Sequence, residues 1–331
     1  MKPFAYIRAA SAAEARAAAA AAGHRFLAGG TTLLDLMKCG VETPAALIDI
    51  GRLEGLDRIA AEAGTLSIGA LARMSRVAGD ASVARLCPAV AESLRQAASP
   101  QLRNMASIGG NLMQRTRCAY FRDPKAFPAC NKRAPGSGCT AIGGVTRNHA
   151  VLGTSRYCIA TYPGDLAVAL TAFDASLLIE GDVPRRVAIA DFFPLPDDTP
   201  HIEHPIAAGE LIVGIEIPLT PAAARSVFIK LRDRGAYEFA VAAVAAGIEL
   251  DPDDRTVRDV RVALGGVATI PWRAVGVEAA LIGRRFDADA IATASQHAAK
   301  GAVARGGNGF KVELIRRLVV RALTSLGGDG R

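Results

Sequence analysis

The chain has 331 residues, half of them hydrophobic and 21% charged, a soluble globular profile with room for two or three packed domains. Its formal net charge of +7 does not by itself argue for nucleic acid: aromatics are 5% of the residues, and no aromatic–basic interleaving offers a surface for base stacking. Met1 to Tyr6 lacks the apolar stretch of a secretory signal, no apolar run is long enough to span a bilayer, and six cysteines in such a length do not make a disulfide scaffold.

In chain order, Ser11-Ala12-Ala13-Glu14 reads as a capping box opening an alanine-rich helix that runs to Gly23. Arg25–Ala28 is a short strand ending on Gly29-Gly30-Thr31-Thr32, Leu33–Lys38 is helical and Ala46–Ile50 is a buried strand. This opening predicts a small α/β subdomain over residues 1–60. Thr65–Ala70 begins a second region, residues 61–220. A helix from about Ala81 to Ala98, a turn at Ser99–Asn104 and a second glycine loop at Ala106–Leu112 follow. Pro163-Gly164-Asp165 leads into a helix over Leu166–Phe173, then strands near Ser176–Glu180 and Leu211–Ile217. The acidic, proline-rich Pro194–His204 run reads as a surface loop and Pro218–Ala224 as a linker. Strands at Val227–Arg232, Phe239–Leu250 and Val257–Gly265 precede helices at Pro271–Ile282, Asp287–Lys300 and Lys311–Leu326. They predict a C-terminal α+β domain over residues 221–331.

Glycines at a strand end let backbone N–H groups approach a phosphate, because no Cβ intervenes. Ala28-Gly29-Gly30-Thr31-Thr32 meets that need, and Ser107-Ile108-Gly109-Gly110-Asn111 repeats the logic. Either loop alone is weak evidence, since most such glycine pairs are turns; two together suit a dinucleotide. No Gly-x-Gly-x-x-Gly opens a helix after a strand, so the site is not of the Rossmann type.

Residues 115–156 carry eight Lys or Arg against one acid, Asp123, while acids and bases balance elsewhere. Cys118, Cys130 and Cys139 lie inside this segment and Cys158 just beyond it. The spacings between them, eleven, eight and eighteen residues, lack the close Cys pairs of structural zinc sites. An iron–sulfur cluster, zinc, two disulfides and unrelated thiols all remain open from the residues themselves. A buried anionic cluster needs cations and hydrogen bonds. Lys132-Arg133 beside Cys130, Arg117 beside Cys118, and the backbone of Gly136-Ser137-Gly138 are candidates to supply them; an anionic substrate site would explain the charge as well. Cys39 and Cys87 read as small buried hydrophobes, His149 as structural or a donor to a ligand, and His24, His201, His204 and His297 as ordinary surface or loop residues.

The ordered set Phe26–Leu33, Ile68-Gly69-Ala70, Arg103–Leu112, Pro163-Gly164-Asp165, Glu210-Leu211-Ile212 and Phe228-Ile229-Lys230 resembles the FAD subunit of the xanthine dehydrogenase/molybdenum hydroxylase family across essentially the whole chain. The resemblance implies a flavin fold of the vanillyl-alcohol-oxidase or CO-dehydrogenase-flavoprotein type, α+β overall, with two α/β subdomains holding FAD and a C-terminal α+β domain. It implies that Phe26, Leu27, Ala28, Gly29, Gly30, Thr31, Thr32, Leu33 and Leu34 bind the pyrophosphate, and that Ser107, Gly110 and Asn111 form the second loop. Asp165 is implied as a ribityl or adenine-side contact; Gly164 stands where the family has a serine. Ile212 is implied near the isoalloxazine and Lys230 as a cation beside the ring, where positive charge favours reduced flavin. Read without the resemblance, Lys230 is a solvated strand charge.

The segments Arg115–Phe121, Cys130–Cys139, Arg147–Ala150 and Cys158–Ala160 further resemble the FAD subunit of bacterial periplasmic aldehyde oxidoreductases, which holds an additional [4Fe–4S] cluster. All four cysteine positions match, implying Cys118, Cys130, Cys139 and Cys158 as ligands, with Arg117 beside them. The implied role is electron transfer in a heterotrimer. A large molybdenum-cofactor (molybdopterin) subunit oxidises an aldehyde to a carboxylic acid, a small [2Fe–2S] subunit delivers the electrons, and FAD here passes them to a soluble acceptor. Nucleic acid and membrane insertion are not expected. Export with a signal-bearing partner would place the chain in the periplasm, the cytoplasm being the other option. A flavin/[4Fe–4S] subunit like that of 4-hydroxybenzoyl-CoA reductase is the nearest alternative. In a different class, the alternative is a basic Fe–S or zinc module that binds nucleic acid.

Overall fold

The structure, a computed structural model, describes residues 1–253 and 255–327. Three sheets organise it. β1 (Ala5–Arg8), β2 (His24–Leu27) and β3 (Ala46–Asp49) form a parallel sheet in the order β1-β3-β2. Parallel neighbours need crossovers, supplied by the helices Ala12–Ala19 and Leu33–Lys38. The capping signal is realised: the Glu14 N–H donates to Ser11 Oγ at 3.1 Å, while Glu14 accepts from the Ala10 N–H at 2.8 Å. The helix stops at Ala19, short of the expected Gly23. Its alanines seat it closely on Ile48 and Leu53.

The second sheet is antiparallel: β4 (Ile59–Glu62), β5 (Thr65–Gly69), β6 (Ser176–Glu180), β7 (Arg185–Ala188) and β8 (Leu211–Pro218), in the order β4-β5-β8-β6-β7. The helix expected from Ala81 to Ala98 is two helices, Ala81–Leu86 and Pro88–Gln96. Pro88 lacks the N–H that would continue the first and is suited to begin the second. Two expected loops are short helices. Pro100–Met105 is capped by Ser99, and Ile108–Leu112 by Ser107, whose Oγ accepts from the Gly110 N–H at 3.2 Å. Pro221–Ala224, read as a linker, is one helical turn capped by Thr220.

The third sheet, β9 (Ser226–Leu231), β10 (Ala242–Leu250), β11 (Val257–Gly265) and β12 (Trp272–Arg273), is antiparallel in the order β12-β11-β10-β9. One face, with Val244, Ile248, Val262 and Leu264, packs on Ile315, Leu318 and Val319 of the long helix Phe310–Leu326. The other, with Ala243, Ala245 and Ala263, joins the core of the second sheet beside the wholly buried helix Asp165–Ala172. Burial on both faces explains why β10 reads as an unbroken apolar run rather than an alternating one. The helix expected from Pro271 begins only at Val275, because β12 occupies Trp272–Arg273.

The cysteine segment has little regular structure, a turn of helix at Ala119–Arg122 and a 3₁₀ turn at Thr140–Gly143. It is fastened to the C-terminal region instead. The Val151 N–H donates to Val267 O at 2.8 Å, the Val303 N–H to Val151 O at 2.7 Å, and Asn308 Nδ2 to Ala150 O at 3.1 Å. Among the described residues no helix is long and apolar enough to cross a membrane.

Candidate functional site

The two glycine loops meet. A Cβ on Gly29 would stand 2.0 Å from Met105 O, so that position accepts only glycine without a shift of the backbone. Gly30 has φ +72°, with the Leu27 and Leu34 side chains packed beneath it. Between and beyond the loops lies a cleft of about 540 Å³, a size usual for a cofactor site. Of the residues expected at a flavin, Phe26, Ala28, Gly29, Gly30, Thr31, Thr32, Leu33, Ser107, Gly110 and Ile212 line it. Leu27, Leu34, Asn111, Asp165 and Lys230 do not, nor does Arg117, which was expected beside the cysteines. Asn111 Nδ2 reaches Met74 Sδ at 3.5 Å, and its Oδ1 is buried without a partner.

Lys230 is not a solvated strand charge. Its ammonium is buried and donates to Asp165 Oδ2 at 2.6 Å and to Gln96 O at 3.1 Å. Burial pushes the Asp165 carboxyl above the usual range, an effect that Lys230 opposes. The pair joins the start of helix Asp165–Ala172 to β9, so these two residues fix the seam between the second and third sheets.

The four cysteines are free thiols and neighbours. Cys118 and Cys130 pack in one small apolar cluster with Leu36 and Phe121, and Cys130 forms an antiparallel bridge with Cys139. Burial pushes the Cys118 thiol up to about 12 and Cys158 up to about 11. Cys130 and Cys158 add to the rise at Cys118, Cys139 and Cys130 to that at Cys158, and Cys139 is raised by burial and by Cys130. The Ala160 N–H donates to Cys158 Sγ at 3.5 Å, and these thiols are held down against burial by nearby backbone N–H groups, at Cys118 those of Tyr120 and Phe121 and at Cys139 those of Ala141, Ile142 and Ile159. The Gly136-Ser137-Gly138 turn is not their source. There the Ser137 hydroxyl accepts from the Cys130 N–H, and the Gly138 N–H donates to Asn131 Oδ1. His149 Nε2 lies 3.2 Å from Cys118 Sγ, in keeping with a supporting role. Among the described residues no three His, Cys, Asp or Glu side chains are grouped so as to hold a single metal ion.

The local excess of positive charge has a different cause from the one expected. Arg115, Arg117, Arg122, Lys132 and Arg147 pair with acids from other parts of the chain: Glu42 and Glu203, Asp35, and Asp233. Arg133 donates to the carbonyls of Tyr120, Phe121 and Phe127 and so staples its own loop. Arg117 faces Asp35 and the Phe239 ring, and among the described residues no hydrogen bond joins it to the sulfur of Cys118; the cysteine that acts on it is Cys39. Lys132 acts on one of the four clustered cysteines, opposing the effect of burial on Cys158.

The 194–204 run folds inward at its end, contrary to its reading as a surface loop. Glu203 is mostly buried and held below the usual carboxylate range by Lys132 and Arg115, against its burial. His204 stacks on Phe192 with ring centroids 4.8 Å apart, and both its ring nitrogens are buried without a partner. Burial pulls its pKa down to about 4. Both residues line the large cleft, together with Arg115, Glu42 and His201. Sequence reasoning missed them because their partners lie far away in the chain. The one available signal was that eight cations beside a single acid must find their counter-charges elsewhere.

The chain matches the family model for the FAD binding domain in molybdopterin dehydrogenase over residues 2–220, and that for the CO dehydrogenase flavoprotein C-terminal domain over residues 227–326. It is 47% identical over 286 residues to the aldehyde oxidoreductase FAD-binding subunit PaoB of Escherichia coli (strain K12), covering 85% of this chain and 86% of that protein. It is 27% identical over 305 residues to the glyceraldehyde dehydrogenase medium chain of Sulfolobus acidocaldarius, covering 90% and 89%. Among solved structures, carbon monoxide dehydrogenase from Hydrogenophaga pseudoflava superposes with a TM-score of 0.75 at 26% identity over 98% of each chain.

Proposed function

Because the chain belongs to the family of FAD-binding subunits of molybdopterin dehydrogenases, we propose that it is the electron-transfer subunit of a heterotrimeric, molybdenum-dependent aldehyde oxidoreductase and carries a [4Fe–4S] cluster beside its FAD. The fold is that of the CO-dehydrogenase flavoproteins, an FAD-binding part with a C-terminal α+β domain, and the class is oxidoreductase. The observation that carries the finer reading is the pairing, in one chain, of a glycine-lined cleft with four free thiols that neighbour one another.

The residues fit both groups. Gly29 and Gly30 leave the backbone bare at the mouth of the first loop, where a pyrophosphate needs close approach. Ser107 and Gly110 line the same cleft. Four neighbouring thiols, three of them with backbone N–H groups acting on the sulfur, are the donor set of a cubane cluster, whose metal–metal spread takes ligands further apart than one ion can. In this reading Cys118, Cys130, Cys139 and Cys158 hold it, and each must lose its proton to do so. Bound FAD would supply the capacity to take up electrons and release them again. No residue of this chain serves as acid or base; its side chains bind, orient and set charge.

In this reading the aldehyde is oxidised on a large molybdenum-cofactor subunit, electrons reach this chain from a small [2Fe–2S] subunit, and a soluble acceptor removes them. Export with a signal-bearing partner would place the complex in the periplasm. The 47% identity to a named aldehyde oxidoreductase subunit favours an aldehyde as substrate over an aryl-CoA thioester. The test is anaerobic purification of the chain with its co-expressed neighbours, followed by measurement of flavin and iron. About one FAD and four irons per chain, beyond the iron of the small subunit, are expected; colourless protein that holds zinc would overturn the reading.

A further inference from the structure

Glu203 stands between the two sites. One carboxylate oxygen accepts from Arg115 Nε at 2.5 Å and the other lies 3.1 Å from Lys132 Nζ, with all three side chains at most one-fifth exposed. Arg115 lines the large cleft, where its Nη1 also meets Glu42 at 2.6 Å. Lys132 lines a second, small cavity together with Cys158. Glu203 and His204 line both, so they form the wall between them. The wall is stiff. Arg115 Nη2 donates to Lys132 O at 3.3 Å, and its guanidinium lies 4.6 Å from the centroid of the Phe121 ring, which packs against Cys130.

We infer that Glu203 is a positioning residue shared by the flavin cleft and the thiol cluster, its single negative charge setting the potential of both sites through Arg115 on one side and Lys132 on the other. The inference rests on the proposed pair of cofactors. In a poorly screened interior a fixed charge acts on everything within several ångströms, and the potential of a cluster or a flavin follows the charge around it. Removing the carboxylate charge leaves Lys132 without its acid and Arg115 with Glu42 alone, a gain of one positive charge between the sites that favours reduction at both. Removing Lys132 withdraws positive charge from the cysteine side, and removing Arg115 withdraws it from the cleft side.

The test is a pair of redox titrations on the anaerobically purified, co-expressed protein. The cluster is followed by electron paramagnetic resonance and the flavin by visible absorption. Glu203→Gln is expected to shift both midpoint potentials upward. Lys132→Gln is expected to lower chiefly that of the cluster, and Arg115→Gln chiefly that of the flavin. A residue that mattered only for folding would not produce this pattern of opposite signs. If Glu203→Gln loses iron, the double variant Glu203→Gln/Lys132→Gln, neutral at both positions, is expected to recover it; failure to recover overturns the charge argument. Unchanged potentials in a Glu203→Gln protein that retains both cofactors also overturn it. Wild-type protein without iron would instead sink the cluster itself, which separates the two failures.

Discussion

Lys230 Nζ lies 2.6 Å from Asp165 Oδ2, and both side chains are buried. Charges removed from water in this way hold only while both are present. Taking away one partner leaves the other buried and unpaired, at a cost of about 3–5 kcal/mol. Lys230→Met or Asp165→Leu alone is therefore expected to lower the thermal midpoint by many degrees. The double variant Asp165→Leu/Lys230→Met should recover most of the loss. Equal and additive losses in the three proteins, measured by calorimetry, would show that the pair does not act as a unit.

The meeting of the two glycine loops makes a sharper prediction. Gly29→Ala forces a methyl against Met105 O, at 2.0 Å without relaxation, so the first loop must move off the second. The expected result is purified protein with FAD occupancy reduced at least about tenfold, the scale of one misplaced binding element. Gly79→Ala, with nothing within 4 Å of the new methyl, is the control and should bind flavin as the parent does. Flavin content by absorbance after gel filtration decides between them.

These two sites also show what was legible in the sequence. The loops were, because glycine at a strand end and Ser107 at a helix start act on their own neighbours. The longer strands were for the same reason: strand pattern and turn residues are local, so β5, β8, β10 and β11 emerge close to their expected bounds, whereas the short strands β1, β4, β7 and β12 were not read. Contacts between distant residues were not legible. Asp165 and Lys230 are 65 residues apart and Arg115 and Glu203 are 88 apart, and nothing in either neighbourhood names its partner. The cysteine segment shows the same limit from the other side. Its charge was visible, but the acids that balance it come from Asp35, Glu42, Glu203 and Asp233.

Lys311 yields a pH dependence. Its side chain is buried at the start of the last helix, its Nζ donates to Gly266 O at 2.7 Å, and burial pulls its pKa down to about 8. An unfolded lysine titrates near 10.4. Between those values the unfolded chain keeps the proton that the folded chain has released, so stability rises with pH over this window. From pH 7.5 to 9.5 the gain from this group is on the order of 2 kcal/mol. Lys311→Met lacks it, and is expected to be the more stable protein at pH 7.5 with an advantage that shrinks by pH 9.5. Urea denaturation of both proteins at the two pH values measures the difference. Parallel pH profiles would mean that Lys311 titrates normally.

Cys130→Ser separates the two proposed cofactors. No cysteine lines the glycine-walled cleft, so the flavin should survive loss of a thiol. Cys130 is nevertheless central to the other site: it shares a core cluster with Cys118 and pairs in a bridge with Cys139. Serine offers a hydroxyl that is far harder to deprotonate than a thiol and a poorer ligand for iron. The expected product keeps its FAD and loses the chain's own iron, with the small subunit's iron unchanged. Cys87→Ser, at a thiol buried in the core of the second sheet, should keep both. Iron unchanged in Cys130→Ser would exclude Cys130 as a ligand. Loss of FAD together with iron would mean that the Leu36–Phe121–Cys130 packing, which reaches the cleft through Leu36, holds the first loop in place as well.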